Sequence, residues 1–281
     1  MRVPPEQITT EEVKSWQGLH LLHFQSSTCS QKVRILLREK GLEWTSHPID
    51  LPRNEHVSAW FLGINARGVV PVLVHDGEVH VESNDILAHL DTLPSTAPPF
   101  FPKDPAALAD VNAELAREDA MHMDLRNLTM GFLMPHSLAK KPTRTLERWE
   151  REGRQDPKRA KEVEWWRDYA RQGIPDDVAQ ASVDRHREVF EDLDARLATA
   201  RFLGGESPSV IDLSWFITVL RVSKSGYPLA RHPRLAEWFA RLAARPAFAE
   251  ETRDPLPLRI ALPVYGLYRK LTRTTLTDRT R

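Results

Sequence analysis

Hydrophobic and polar positions along the first 93 residues switch repeatedly between a period of two and a period near 3.6. "LHLLHF" (19–24) predicts a short strand, and "SQKVRILLREKG" (30–41) puts Val33, Leu36 and Leu37 on one helical face before Gly41 stops it. "LEWTSHPIDL" returns to aromatic and β-branched residues, and "NEHVSAWFLGIN" restores helical spacing at Val57, Trp60, Phe61 and Ile64. "VVPVLVHDGEVHVES" then predicts a hairpin turning at Asp76-Gly77, a dipeptide suited to two successive positive φ angles. Ser83 opens a further helix. The order β-α-β-α-β-β-α predicts an α/β domain in which a parallel strand pair is extended by an antiparallel hairpin.

Five prolines in the twelve residues 94–105 mark a linker. Beyond it, over 106–281, the pattern is helical throughout, so the fold expected is an α/β domain followed by an all-α domain. A charged insertion at about 138–176 mixes both signs and carries Trp149, Trp165 and Trp166. Such patterning predicts a solvated helical face. Ser209 with Asp212 three residues on, ahead of "LSWFITVL", predicts a helix start in which each residue bonds the other's backbone, a folding element and not a catalytic one.

Composition narrows the chemistry. Thirty-nine basic residues balance thirty-nine acidic ones in 281, so no net field draws the chain to nucleic acid. Residues 1–17 form a polar extension unlike a secretory or transit leader. A single cysteine, Cys29, excludes an internal disulfide and a four-cysteine zinc site and fits a reducing cytoplasm. No GxGxxG, P-loop or HExxH is present, and the eleven histidines show no ligand spacing, so neither a metal nor a nucleotide cofactor is expected. "RIALPVYGLYRKL" near the end is apolar between basic flanks, but its proline and glycine are expected to interrupt any helix. The segment is therefore expected to pack over the helical domain and not to touch a membrane.

Candidate chemistry gathers in "FQSSTCSQKVR" (24–34), where strand gives way to helix. A thiol at Cys29 would feel the N-terminal end of the helix dipole, which favours a thiolate, whereas a buried free cysteine serves as a small apolar residue. Ser26, Ser27, Thr28 and Ser30 crowd the same turn and offer hydroxyls for capping or for donation to a bound anion. Lys32 stands where a dithiol oxidoreductase needs its second cysteine, so any redox cycle would borrow an external thiol.

Taken with "DLPRNEHVSAWFLGINARGVVPVLVHDGEVHVES" (50–83), the chain resembles a cytosolic glutathione transferase over nearly its whole length. The family run ends in an Asn-Pro-x-Gly-x-Val-Pro turn and a Glu-Ser pair. Here Asn65 to Pro71 forms the turn, with Ala66 in place of the first proline, and Glu82-Ser83 is the pair. The resemblance implies a thioredoxin-like first domain and glutathione as cosubstrate. It also implies a cis Pro71 presenting the Val70 backbone to glutathione, with Glu82 and Ser83 at the γ-glutamyl end and His56 near the glycyl carboxylate.

The active turn resembles both the zeta-class Ser-Ser-Cys-Ser turn, which implies Ser27 as the catalytic serine, and that of bacterial reductive dehalogenases, which implies Cys29 as nucleophile. The charged segment ending "WWRDYARQGIPDD" resembles the helical domain of bacterial β-etherase-type transferases. Three functions are consistent with this. One is a homodimeric transferase or lyase acting on an apolar electrophile such as an aromatic ether, halide or epoxide. The others are a Cys29-dependent thiol transferase or reductive dehalogenase working through a glutathione mixed disulfide, and a non-catalytic glutathione-transferase-like binding or dimerisation module.

Overall fold

The computed structural model describes residues 1–152 and 157–280. Residues 153–156 of the charged insertion, and residue 281, lie outside the described residues. Four strands, β1 (Leu19–His23), β2 (Thr45–Pro48), β3 (Val72–His75) and β4 (Glu78–His80), pair in the order β2-β1-β3-β4. β1 runs parallel to β2 and antiparallel to β3, and β3 runs antiparallel to β4, the predicted parallel pair with its hairpin. Asp76 and Gly77 both take positive φ, at 49° and 80°. Between these strands come α1 (Thr28–Glu39) and α2 (Ala59–Leu62), and after them α3 (Ser83–Asp91).

Register sorts the side chains into two faces, because alternate residues of a strand point opposite ways. Leu22, Val72, Val74 and Val79 share one face and build a core with Ile8, Val13, Phe61 and Ile64. Leu21 and Leu73 belong to the other face, the side of the packed pair α1 and α3. The polar extension joins the fold. Val3 N donates to Val79 O at 2.8 Å, and Ile8 and Val13 are buried. Pairing there covers the edge of β4, which would otherwise expose free backbone groups.

The rest of the chain is helical: α4 (Pro105–Ala120), α5 (His122–Phe132), α6 (His136–Ala139), α7 (Thr143–Glu152), α8 (Pro157–Gln172), α9 (Asp176–Arg196), α10 (Val210–Lys224), α11 (Pro233–Ala243), α12 (Pro246–Thr252), α13 (Leu256–Leu271) and α14 (Leu276–Arg279). Packing divides the chain into two units. Residues 1–99 cluster with 143–165, and residues 100–142 cluster with those from 166 onward. α7 and the first half of α8 thus belong with the sheet unit, and the expected solvated face is only partly such. Leu146, Trp149, Arg159 and Val163 are buried, because the apolar side of these helices finds a partner surface.

In the helical unit α10 is mostly apolar and is buried on every side from Val210 to Leu220, packed by α4, α5 and α11. Its start is the predicted reciprocal cap. Ser209 Oγ accepts from Ile211 N at 3.2 Å, and Asp212 accepts from Ser209 N at 2.9 Å. Asp212 also takes Leu203 N, Gly204 N and the Trp238 indole N–H, so one buried carboxylate ties three segments together. α13 corrects one expectation. It continues through Pro263 and Gly266, packing by one side only. The carbonyl that Pro263 leaves without a helical partner is that of exposed Arg259, where water can satisfy it.

Candidate functional site

The sheet register gathers the predicted residues at one end of the first unit. Leu22 pairs with Val72 and Leu73 with His80, so the ladder carried onward sets Pro71 beside His23, and Glu82 beside Pro71. The turn after β1, the turn before β3 and the start of α3 therefore share one sheet end. Ends of strands, where backbone leaves the ladder, are where loops can offer groups to a ligand.

Ser27 is the N-cap of α1, and its Oγ accepts from Ser30 N at 3.3 Å. A hydroxyl that accepts keeps its proton for donation. Cys29 is half-buried in the first turn of the same helix, where exposed N–H groups favour an anionic sulfur.

Beneath this turn lies a brace that the sequence reading missed. Arg34, buried on α1, donates to Phe24 O at 3.2 Å, to Gln25 O at 2.8 Å and to His23 Nδ1 at 2.9 Å. Guanidinium only donates, so His23 Nδ1 accepts and its Nε2–H donates to Ser46 Oγ at 2.7 Å. Burial, and then the charge of Arg34, holds the His23 pKa down to about 4, which keeps the ring neutral as those bonds require. Lys32, at the vacant second-cysteine position, is buried too.

Asn65 shapes the second turn. Its Nδ2 donates to Val69 O at 2.9 Å, and its Oδ1 accepts from Arg67 N at 3.1 Å. Gly68 takes φ 62° where a Cβ would lie 2.9 Å from His56 O and 2.5 Å from Arg159 Nη1. The Val70–Pro71 peptide is cis, as the family resemblance implies. His56 is buried in a 3-10 turn, and its ring meets Trp149 of α7 edge to face with centroids 5.1 Å apart. Arg159 of α8 donates to Arg67 O at 2.5 Å. Trp149 and Arg159 thus reach the edge of the predicted site. The sequence signal was the tryptophan set among charges, read there as part of a solvated face.

Glu82 has φ 65°, a left-handed conformation uncommon outside glycine, and its side chain makes no capping bond to α3. Its carboxylate instead pairs with the Arg67 guanidinium, which ties the second turn to the start of α3. The first N–H groups of α3 lack helical acceptors, as at any helix start, and Ser83 stands among them. An anion and a cation side by side, next to a helix N-terminus, suit a ligand bearing both an ammonium and a carboxylate. Among the described residues no group of three His, Cys, Asp or Glu could hold a metal ion.

Comparison with known proteins bears on the fold and the family. Residues 26–93 match the glutathione S-transferase N-terminal domain and residues 176–241 the C-terminal domain. Protein LigF of Sphingobium sp. strain SYK-6 is 27% identical over 83% of this chain and 92% of its own. The crystal structure of that protein, a β-etherase, superposes with a TM-score of 0.72 over 84% of this chain and 98% of the other at 26% identity. The tetrachloro-p-hydroquinone reductive dehalogenase of Sphingobium chlorophenolicum is 24% identical over 84% of this chain and 96% of its own. A theta-class glutathione S-transferase from Xanthomonas axonopodis pv. citri, solved with glutathione bound, shares the fold at a TM-score of 0.63 and 20% identity, over 86% of this chain and all of the other. With a thioredoxin-like domain followed by a helical one, both matched in order, the chain belongs to the glutathione S-transferase family and is a transferase of that type.

Proposed function

We propose that this transferase binds glutathione at the end of its sheet and activates the thiol for attack on an apolar electrophile of aromatic ether, halide or epoxide type. The observation that carries the reading is the start of α3, where Glu82, pulled into a left-handed conformation, pairs with Arg67 instead of capping the helix. That pair offers its carboxylate to the γ-glutamyl ammonium. The Ser83 hydroxyl and the helix N–H groups receive the γ-glutamyl carboxylate. The Val70 backbone lies along the cysteinyl part like a neighbouring strand. His56 faces the glycyl end.

The thiol then arrives at the start of α1. Ser27, whose Oγ accepts from Ser30 N, donates its O–H to the glutathione sulfur. The helix dipole adds to the stabilisation, so the thiol loses its proton near neutral pH. The thiolate attacks the electrophilic carbon, and the carbon–sulfur bond forms as the bond to the leaving atom breaks. A halide departs as the anion and the thiol's proton goes to water. An ether oxygen departs with the bonding pair and is protonated, and an epoxide oxygen is protonated while it stays on the neighbouring carbon. A reducing cytoplasm and a homodimer are the setting we assign, on the single cysteine and the family resemblance.

Cys29 supports a second reading, because it too sits in the first turn of α1 and the chain is similar to a reductive dehalogenase. In that route the Cys29 thiolate attacks the glutathione sulfur of a mixed disulfide, and the Cys29–glutathione disulfide forms as the other thiolate departs. A second glutathione thiolate then displaces Cys29 and leaves as glutathione disulfide. Ser27→Ala and Cys29→Ala variants, assayed with glutathione and chlorodinitrobenzene and separately with a glutathione mixed disulfide, separate the two. The Ser27 reading expects Ser27→Ala to lose conjugation while Cys29→Ala retains both activities. Loss of both activities in Cys29→Ala alone assigns the chemistry to the cysteine.

A further inference from the structure

α13 is apolar on the side that faces the helical unit and apolar again on the side that faces away from it. Leu258, Leu262 and Tyr265 lie inward, with Phe132 of α5 and Leu133 just beyond it in a cleft of about 400 Å³. Leu256, Ile260, Val264, Leu267, Tyr268 and Leu271 are each more than half exposed. Their spacings of three and four residues align them along one stripe, which over sixteen residues runs about 24 Å. Single exposed leucines are ordinary, but six large apolar residues in one row are not.

Charge identifies the occupant. Residues 253–281 carry seven Lys and Arg against two Asp, a net charge of +5 in a chain whose formal charge is zero. Arg253, Arg259, Lys270 and Arg273 are exposed, and none forms an ion pair among the described residues. On a helical projection Arg259 and Lys270 fall together on one flank of the stripe. Two copies meeting symmetrically through this face would bring two such basic segments together, which like-charge repulsion opposes. An anionic lipid surface takes the apolar row among its acyl chains and the basic flank among its headgroups. The helix lies in the plane of that surface, since no described helix is long and apolar enough to cross a membrane.

We propose that α13 is an in-plane docking helix for anionic phospholipid surfaces, holding the transferase where apolar substrates partition. The inference stands on α13 alone and does not depend on which residue activates glutathione. Vesicle flotation of the whole chain tests it, with vesicles of phosphatidylcholine alone and of three parts phosphatidylcholine to one part phosphatidylglycerol.

The expected result is binding to the mixed vesicles that is on the order of tenfold stronger than to the neutral ones and that weakens with added salt. Ile260→Glu with Leu267→Glu, on exposed positions that leave the melting temperature unchanged, abolishes it. Arg259→Glu with Lys270→Glu returns binding to the neutral-vesicle level. Absence of binding to the mixed vesicles overturns the proposal. So does a dimer in sedimentation velocity that Ile260→Glu with Leu267→Glu converts to monomer, because the face is then an interface between copies.

Discussion

Arg34 Nη1 lies 2.9 Å from His23 Nδ1, fastening α1 to the strand β1 that precedes it. The same guanidinium holds Phe24 O and Gln25 O, so the backbone leading to Ser27 is fixed from beneath by one buried charge. Arg34→Met keeps the side-chain length and removes the donors. It is expected to cost about 3 kcal/mol of stability, because buried acceptors are left without partners. It should also lower kcat for glutathione conjugation by more than it changes the glutathione KM, since the turn presenting Ser27 loosens. Denaturant unfolding together with steady-state kinetics measures both.

Acid should destabilise the protein before its carboxylates titrate. Burial is the first cause that holds both His23 and His80 at a pKa of about 4, with Arg34 adding to the one and His89 to the other. Unfolded, each histidine binds a proton at about 6.5. The unfolded state therefore takes up protons that the folded state refuses, and stability present above about pH 6.5 is lost as the pH falls toward 4. Each ring contributes on the order of 2–3 kcal/mol to that slope. His89 and His47, lowered chiefly by burial, act in the same direction. Urea unfolding across this range, repeated on His80→Gln, should show a steeper fall in the wild type than in the variant.

In the helical unit Asp212 accepts from Leu203 N, Gly204 N, Ser209 N and Trp238 Nε1. Asp212→Ala strands these donors in the interior and is expected to cost about 3–5 kcal/mol, enough to abolish soluble expression or to lower the melting temperature steeply. Ser209→Ala removes only the cap and should cost about 1 kcal/mol. A ratio of the two effects near one would contradict the assignment of Asp212 as the tie between segments.

Gly77 tests the hairpin. At φ 80°, an added Cβ would lie 2.2 Å from Lys14 O, so Gly77→Ala meets both backbone strain and a backbone clash. The cost should exceed about 1 kcal/mol, and the segment 11–15 should lose hydrogen-exchange protection with the hairpin.

What could be read in advance was local. The element order through Ser83, the Asp76-Gly77 turn and the Ser209–Asp212 cap each depend on residues a few positions apart, whose backbone preferences act regardless of the surrounding fold. The pairing of Arg67 with Glu82 spans fifteen residues and needed the sheet to exist first. Arg34, Lys32, Trp149 and Arg159 were obscured for another reason. Charged residues on an amphipathic pattern read as surface, and only packing shows that a guanidinium has its donors satisfied inside. α13 was misread because Pro263 looked like a break, when its exposed position lets water replace the lost hydrogen bond.

Calorimetric titration of glutathione into the wild type and Ser83→Ala reaches the central claim most directly. The account predicts a saturable one-to-one heat for the wild type and an affinity lowered about tenfold in the variant, equivalent to ~1.4 kcal/mol for one lost hydrogen bond to a charged group. No measurable glutathione binding to a folded wild type, or an unchanged affinity in Ser83→Ala, would contradict it.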